Sequence, residues 1–286
     1  MDPKNILSQV GESITGFFQK KGKATVVAPP HLRSAVRFPY GPFEFQFQVT
    51  KGASYEIQAS SNLQNWLAIS AGKSSGEPVD YVDSEAHKFS YRFYRVLAET
   101  VFSANVVGYV AVNLPPGYSM TANPLHAPSN TVSALFPGMA DGTALNKFDT
   151  RLFKLTENVV KGGKWSNSNE TLVPGEGAIF FNPTSDFKNI NFVGEVLVGE
   201  LLIPIASGFS VRSSQIPKPG RLHTDLGFPI AMGDVVHLFD RDKQNYVIYE
   251  YDPKKWESNP PLVGVGESFW IGKTSPGNWV QHFTIK

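Results

Sequence analysis

Hydrophobic and polar residues alternate with a period of two in several short stretches of this chain. Phe43, Phe45, Phe47 and Val49 alternate with Glu44, Gln46 and Gln48, the pattern of a strand with one buried face. Residues 55–59, 67–69, 92–97 and 178–181 read as further strands, separated by turn-forming runs such as Ser74-Ser75-Gly76-Glu77-Pro78. A helical period occurs convincingly in one place, residues 4–19. There Ile6, Val10, Ile14, Phe17 and Phe18 recur at helical spacing, Leu7 widens the stripe, and Lys20, Lys21 and Lys23 follow where cations favour a helix C-terminus. Gly11 and Gly16 each weaken that helix by roughly 1 kcal/mol relative to Ala. A helix of this length is marginal alone in water, so it needs a surface to lie against: its own β-structure or a partner.

The second part of the chain repeats itself. Gly117-Tyr118-Ser119 returns as Gly208-Phe209-Ser210, Lys147-Phe148-Asp149 as Leu238-Phe239-Asp240, and Trp165 as Trp256, each 91 residues on. Gly142 and Gly233 keep the same offset. The run Pro174-Gly175-Glu176-Gly177 matches Val263-Gly264-Val265-Gly266 at 89, which reads as a slip of two in the register. A tandem duplication makes each copy one folding unit or half of one. The expected architecture is all-β: an N-terminal amphipathic helix (1–23), an immunoglobulin- or fibronectin-like sandwich (24–100), and two copies of a β-repeat (101–200 and 201–286). The copies form either two sandwiches or one larger sandwich or barrel. The run 194–204, rich in β-formers and flanked by Glu195, Glu200 and Pro204, reads as one strand linking them.

Composition narrows the function. With 25 Gly and 21 Pro among 286 residues, turns are frequent, as in β-sandwiches. A net charge of +1 gives no basic footprint for nucleic acid. Cysteine is absent, which removes disulfides, thiolate nucleophiles and Cys-ligated zinc. No apolar stretch is long enough for a transmembrane helix, and Met1-Asp2-Pro3-Lys4 does not open a signal-peptide pattern.

Residues 55–66 (Tyr-Glu-Ile-Gln-Ala-Ser-Ser-Asn-Leu-Gln-Asn-Trp), Tyr81-Val82-Asp83 and Arg92-Phe93-Tyr94-Arg95 resemble a β-sandwich module abundant in exported and surface proteins of verrucomicrobia and planctomycetes. Gly117-Tyr118-Ser119, Ala122-Asn123-Pro124-Leu125 and Asn182-Pro183 extend the resemblance over about 45–286. It implies a β fold and a cell-surface or extracellular setting, and it implies no particular activity.

The candidate chemistry is sparse. Trp165 with Asn167 and Trp256 with Asn259 sit in polar, turn-like contexts, where an indole can stack on a sugar ring beside an amide. Each Trp equally reads as a plug at the end of its own sandwich. Pro174-Gly175-Glu176-Gly177 lacks the Lys-Ser/Thr pair of a phosphate loop and reads as a tight turn. Asp149 and Asp240 read as turn caps. Asp240-Arg241-Asp242 lacks the further ligands of a calcium loop, and the six histidines show no metal-ligand spacing. No metal and no cofactor is expected. The leading expectation is a non-catalytic structural or interaction protein, a subunit of a surface layer, appendage or other assembly. In it Ile6, Val10, Ile14, Phe17 and Phe18 dock on a protein partner or a second copy. A carbohydrate-binding protein using the two Trp residues is the first alternative, and a hydrolase with a site between the repeats is the second.

Overall fold

A computed structural model describes residues 27–285. The predicted helix, with Ile6, Val10, Ile14, Phe17 and Phe18, lies outside the described residues. Strands make up 48% of the chain and helix 6%, which makes it a β protein. The first eight strands are β1 (Arg33–Arg37), β2 (Phe43–Phe47), β3 (Ser54–Ser60), β4 (Leu67–Lys73), β5 (Val79–Asp83), β6 (Tyr91–Ala98), β7 (Val101–Phe102) and β8 (Val107–Leu114). Next come β9 (Gly117–Thr121), the short helix α1 (Val132–Leu135), β10 (Ala144–Asp149), β11 (Lys154–Lys161), β12 (Lys164–Trp165), β13 (Ala178–Asn182) and β14 (Lys188–Glu195). The last strands are β15 (Gly199–Ile205), β16 (Gly208–Arg212), β17 (Gly220–Arg221), β18 (Val235–Asp240) and β19 (Asn245–Glu250). Helix α2 (Pro253–Ser258), β20 (Leu262–Val263), β21 (Phe269–Lys273) and β22 (Gly277–Phe283) complete the chain.

Open sheets stack on one another. Sheet β1-β2-β5 faces the sheet β14-β8-β6-β3-β4 across a core that includes Phe43, Phe45, Phe47, Ile57, Tyr94 and Tyr109. The opposite face of that second sheet, with Phe93, Val110 and Phe192, packs on sheet β12-β11-β10-β13-β9 through Leu145, Phe180 and Trp165. β6 and β8 are therefore buried on both faces, and residues 92–96 and 107–110 are buried without interruption. A sheet covered on both sides loses the alternation by which strands are usually recognised. β6 pairs with β8, so hydrogen bonding in this sheet runs across residue 100. In the last part, sheet β16-β21-β18-β19 shares a core with the pair β15-β22 through Val236, Phe269, Ile271, Ile203, Ile205 and Trp279.

Most strand pairings of 107–195 recur in 199–283. Adding 91 to each residue of the β10–β11 ladder reproduces the β18–β19 ladder. The same holds for β10–β13 against β18–β21 and for β13–β9 against β21–β16. Gly117 and Gly208 both have positive φ (84° and 83°), as do Gly175 and Gly266 (97° and 77°). The offset is thus still 91 at Gly175-Glu176, which matches Gly266-Glu267. The slip expected at 174–177 lies later, between β13 and β14: Lys188 pairs with Leu114 while Gly277 pairs with Ile205. The connection after β21 is two residues shorter than the one after β13. The run 194–204 is also not one strand. It is β14 and β15 broken by residues 196–198, with Gly199 at φ 96° starting the new direction.

These two halves meet through Met120, Ile179 and Val211, with Phe148, Phe239 and Trp270 against them. The six residues are three pairs of equivalent positions: Met120 with Val211, Ile179 with Trp270, and Phe148 with Phe239. The hydrogen bonds are reciprocal too. The Ala122 amide donates to the Gly266 carbonyl at 2.9 Å, and the equivalent Ser213 amide donates to the Gly175 carbonyl at 3.1 Å. Like surface meets like surface, as across the two-fold axis of a dimer.

Gly266 is confined as well as left-handed: an added Cβ lies 2.7 Å from Val112 Cγ2. At Gly208 an added Cβ meets nothing within 4 Å. Gly208→Ala is expected to cost about 1–2 kcal/mol from backbone strain, and Gly266→Ala about 1–3 kcal/mol more from overpacking. Urea unfolding of the two variants measures the difference; equal losses would contradict it.

Candidate functional site

Both predicted tryptophans are buried. Trp165, at the end of β12, is 9% exposed, and its Nε1 donates to the Phe136 carbonyl at 3.0 Å. Trp256, in α2, is 2% exposed, and its Nε1 donates to the Glu250 carbonyl at 3.0 Å. Each indole fills a core and spends its polar handle on backbone, so neither ring offers a face on which a sugar could stack. Asn167 and Asn259 are exposed, but the Asn167 main chain is tied to the Asn158 side chain, and the Asn259 amide caps α2 by donating to the Lys255 carbonyl. The polar neighbours of each Trp in sequence are at the surface while the ring between them points inward. Of the five Trp residues, Trp66 and Trp270 are the partly exposed ones.

The junction between the halves holds the apolar cluster just described. Asp149 accepts from the Arg151 and Leu152 amides, and Asp240 from the Asp242 and Lys243 amides, so both cap hairpin turns. The second Asp240 oxygen takes Lys243 Nζ at 2.9 Å, and these donors hold its carboxyl below the usual range. Among the described residues no group of three or more His, Asp or Glu is placed to hold a metal ion, and no helix is long and apolar enough to cross a membrane.

Buried polar chemistry is concentrated at two places that sequence reasoning missed. Asp83, 4% exposed, accepts from Arg92 Nη1 at 2.7 Å, Tyr94 Oη at 2.6 Å and the Glu85 amide at 3.0 Å. Burial and then the bond to Asp83 push the Tyr94 hydroxyl far above its ordinary pKa, so it stays a donor. Asp234 is fully buried and paired with Lys273 Nζ, and it also accepts from the Ala231 amide, the Thr274 amide and the Thr274 hydroxyl. Both clusters are buried within the fold. Asp83, Arg92 and Tyr94 had a signal in the sequence, as the residues that carry the resemblance; Asp234 and Lys273 had none.

What the surface does offer is uncovered apolar structure. β19 ends its sheet, and along it Tyr246, Val247 and Ile248 are 38%, 40% and 59% exposed. In the first half β12 pairs only with Val160 and Lys161 at the end of β11, and in the second half the residues matching β12 lie in α2. A second feature is a depression of about 420 Å³ where β7, the 196–198 link and the end of β22 converge. Its lining mixes apolar side chains, among them Phe102, Val106, Val198 and Phe283, with Arg95, Asn105 and Glu195. Comparison with protein-family models, curated proteins and solved structures finds no match for the chain.

Proposed function

We propose that this is a structural or interaction protein, a subunit of an assembly, with the segment 1–23 as its docking element. The observation that carries the reading is β19: three consecutive large apolar residues exposed on an edge strand. Exposed apolar edges are sites of strand addition and association, and the apolar stripe of residues 4–19 needs a surface of its own. The resemblance to exported modules supports a cell-surface setting. The matching ladder registers and reciprocal contacts support a tandem duplication of the unit 101–200 in 201–286. The two sheets around Phe43 and Tyr94 support an immunoglobulin-like sandwich before it.

Light scattering on the whole chain and on a chain lacking residues 1–22 tests the function. Discrete oligomers that become monomers on truncation are the expected result. Oligomers unchanged by truncation would remove the docking role of the segment, and a monomeric whole chain would remove the assembly reading.

A further inference from the structure

We infer that the first pair of sheets carries a binding site for a hydroxylated carboxylate, the chemistry of a sugar acid, where the edge strands β1 and β14 leave it open. This goes beyond the reading above and does not depend on it. β1 and β14 each end their sheet. Alternate residues of a strand share a face, and on the face toward the first core β8 places Val107 and Tyr109, β14 places Val193 and β1 places Ala35. Further along the same faces come Ala111 and Asn113 on β8, Asn191 and Asn189 on β14, and Arg37 on β1. Amides and a guanidinium stand where apolar side chains would continue the core. A depression of about 380 Å³ remains there, lined by these residues together with His87 and Lys88.

Arg37 is 9% exposed, and among the described residues no carboxylate is paired with it. Its Nη2 donates to the Ala86 carbonyl at a long 3.3 Å, its Nε and Nη1 have no hydrogen-bond partner, and the Tyr109 ring lies 4.4 Å from its charge. A guanidinium cannot shed its proton, and a buried charge without a counter-ion is costly. The ring offsets part of that cost. An anion in the depression offsets the rest, because attraction between charges strengthens where water is excluded. Among the described residues no Asp or Glu lines the depression to oppose it. Lys88 is already paired with Glu85, so Arg37 is the cation left uncompensated. The amides add a second requirement. Asn191 Nδ2 donates to Asn189 Oδ1 at 3.0 Å, and Asn189 Nδ2 donates to Asn113 Oδ1 at 2.7 Å. This chain of bonds ends in the Asn113 amide group, a donor, and in Asn191 Oδ1, an acceptor buried without a partner. A bare anion answers Arg37 and leaves Asn191 unsatisfied. A ligand with a carboxylate and hydroxyls answers both.

The test is titration calorimetry on the full chain at fixed ionic strength, with sodium glucuronate, sodium acetate and glucose as probes. Glucuronate is expected to bind, and acetate and glucose each to bind roughly 10-fold more weakly or not at all, since each lacks one of the two features. Arg37→Met is expected to weaken glucuronate roughly 10- to 100-fold by removing the charged donor. Asn191→Asp keeps the shape of the wall and sets a like charge in it, so it is expected to weaken glucuronate by a similar factor. It also serves as the deciding variant if circular dichroism shows that Arg37→Met does not fold. No binding of glucuronate overturns the inference. Glucose binding as tightly as glucuronate overturns it too, because the charge then plays no part. Acetate binding as tightly overturns the ligand class, because the hydroxyls then play none. Glucuronate binding that is unchanged in the folded variants places the ligand elsewhere and also overturns the inference.

Discussion

Asp83→Ala is expected to lower the folding free energy by about 3–5 kcal/mol, since it strands a buried guanidinium without its partner. Arg92 is 8% exposed and Tyr94 fully buried, so neither can turn to water once the carboxylate is gone. Tyr94 also stacks on Phe43 at 4.7 Å, which ties the motif to the strand on the facing sheet. The cost therefore spreads across both layers of the first core. Thermal unfolding should show a midpoint drop on the order of 10 °C. Replacing the pair together, as Asp83→Leu with Arg92→Met, should recover much of the loss, because no buried charge is left unpaired. A single variant within about 2 °C of the wild type, measured the same way, would show that the pair contributes little.

Lys273→Met is the second large effect, again about 3–5 kcal/mol at neutral pH, and it carries a pH signature. Burial acts to raise the Asp234 pKa, but Lys273, Thr274 and Ala231 donate to it and the net shift is downward. A carboxyl lowered in the folded state contributes stability that is fully present above its unfolded value near pH 4 and is lost as pH falls through the folded value. In Lys273→Met the carboxylate keeps its burial without its cation, so the variant is most penalised where Asp234 is ionised. The gap between wild-type and variant urea midpoints should be widest near pH 7 and narrow toward pH 3. A gap of constant width would mean that the loss is one of packing rather than charge.

These two clusters show where the sequence could be read and where it could not. The strand at 43–47 was legible because one of its faces meets a core and the other does not, and its alternation is intact in the structure. The turn at 60–66 is held by bonds that are just as local. Ser60 and Asn62 accept from the amides of residues just ahead, and Leu63, at φ 61°, turns inward. Such bonds are local, so composition reports them. Trp165 and Trp256 were open to two readings because direction is set by tertiary packing. A polar neighbourhood in sequence says that the chain is at the surface there, and nothing about which way the ring points. The pair Asp234 and Lys273 was invisible because its members are 39 residues apart and joined only by the β18–β21 pairing. The register slip was misplaced because two glycines matched equally well at 89 and 91, and only φ distinguishes them.

The contact between the halves has a consequence for how this molecule can change. In a dimer of identical chains, every substitution near the axis enters twice, and each side chain must be compatible with its own image. Here the two sides belong to one chain, and a substitution enters once. Ile179 faces the contact in one half and Trp270 in the other, a pairing that symmetry between separate chains would forbid. The same freedom reaches behind the contact, where Thr143 and Asn182 occupy the positions that Asp234 and Lys273 hold in the second half. The second half therefore holds a buried charge pair and a helix where the first holds Thr143, Asn182 and a short strand. Because both halves belong to one chain, no symmetry holds them to the same surface.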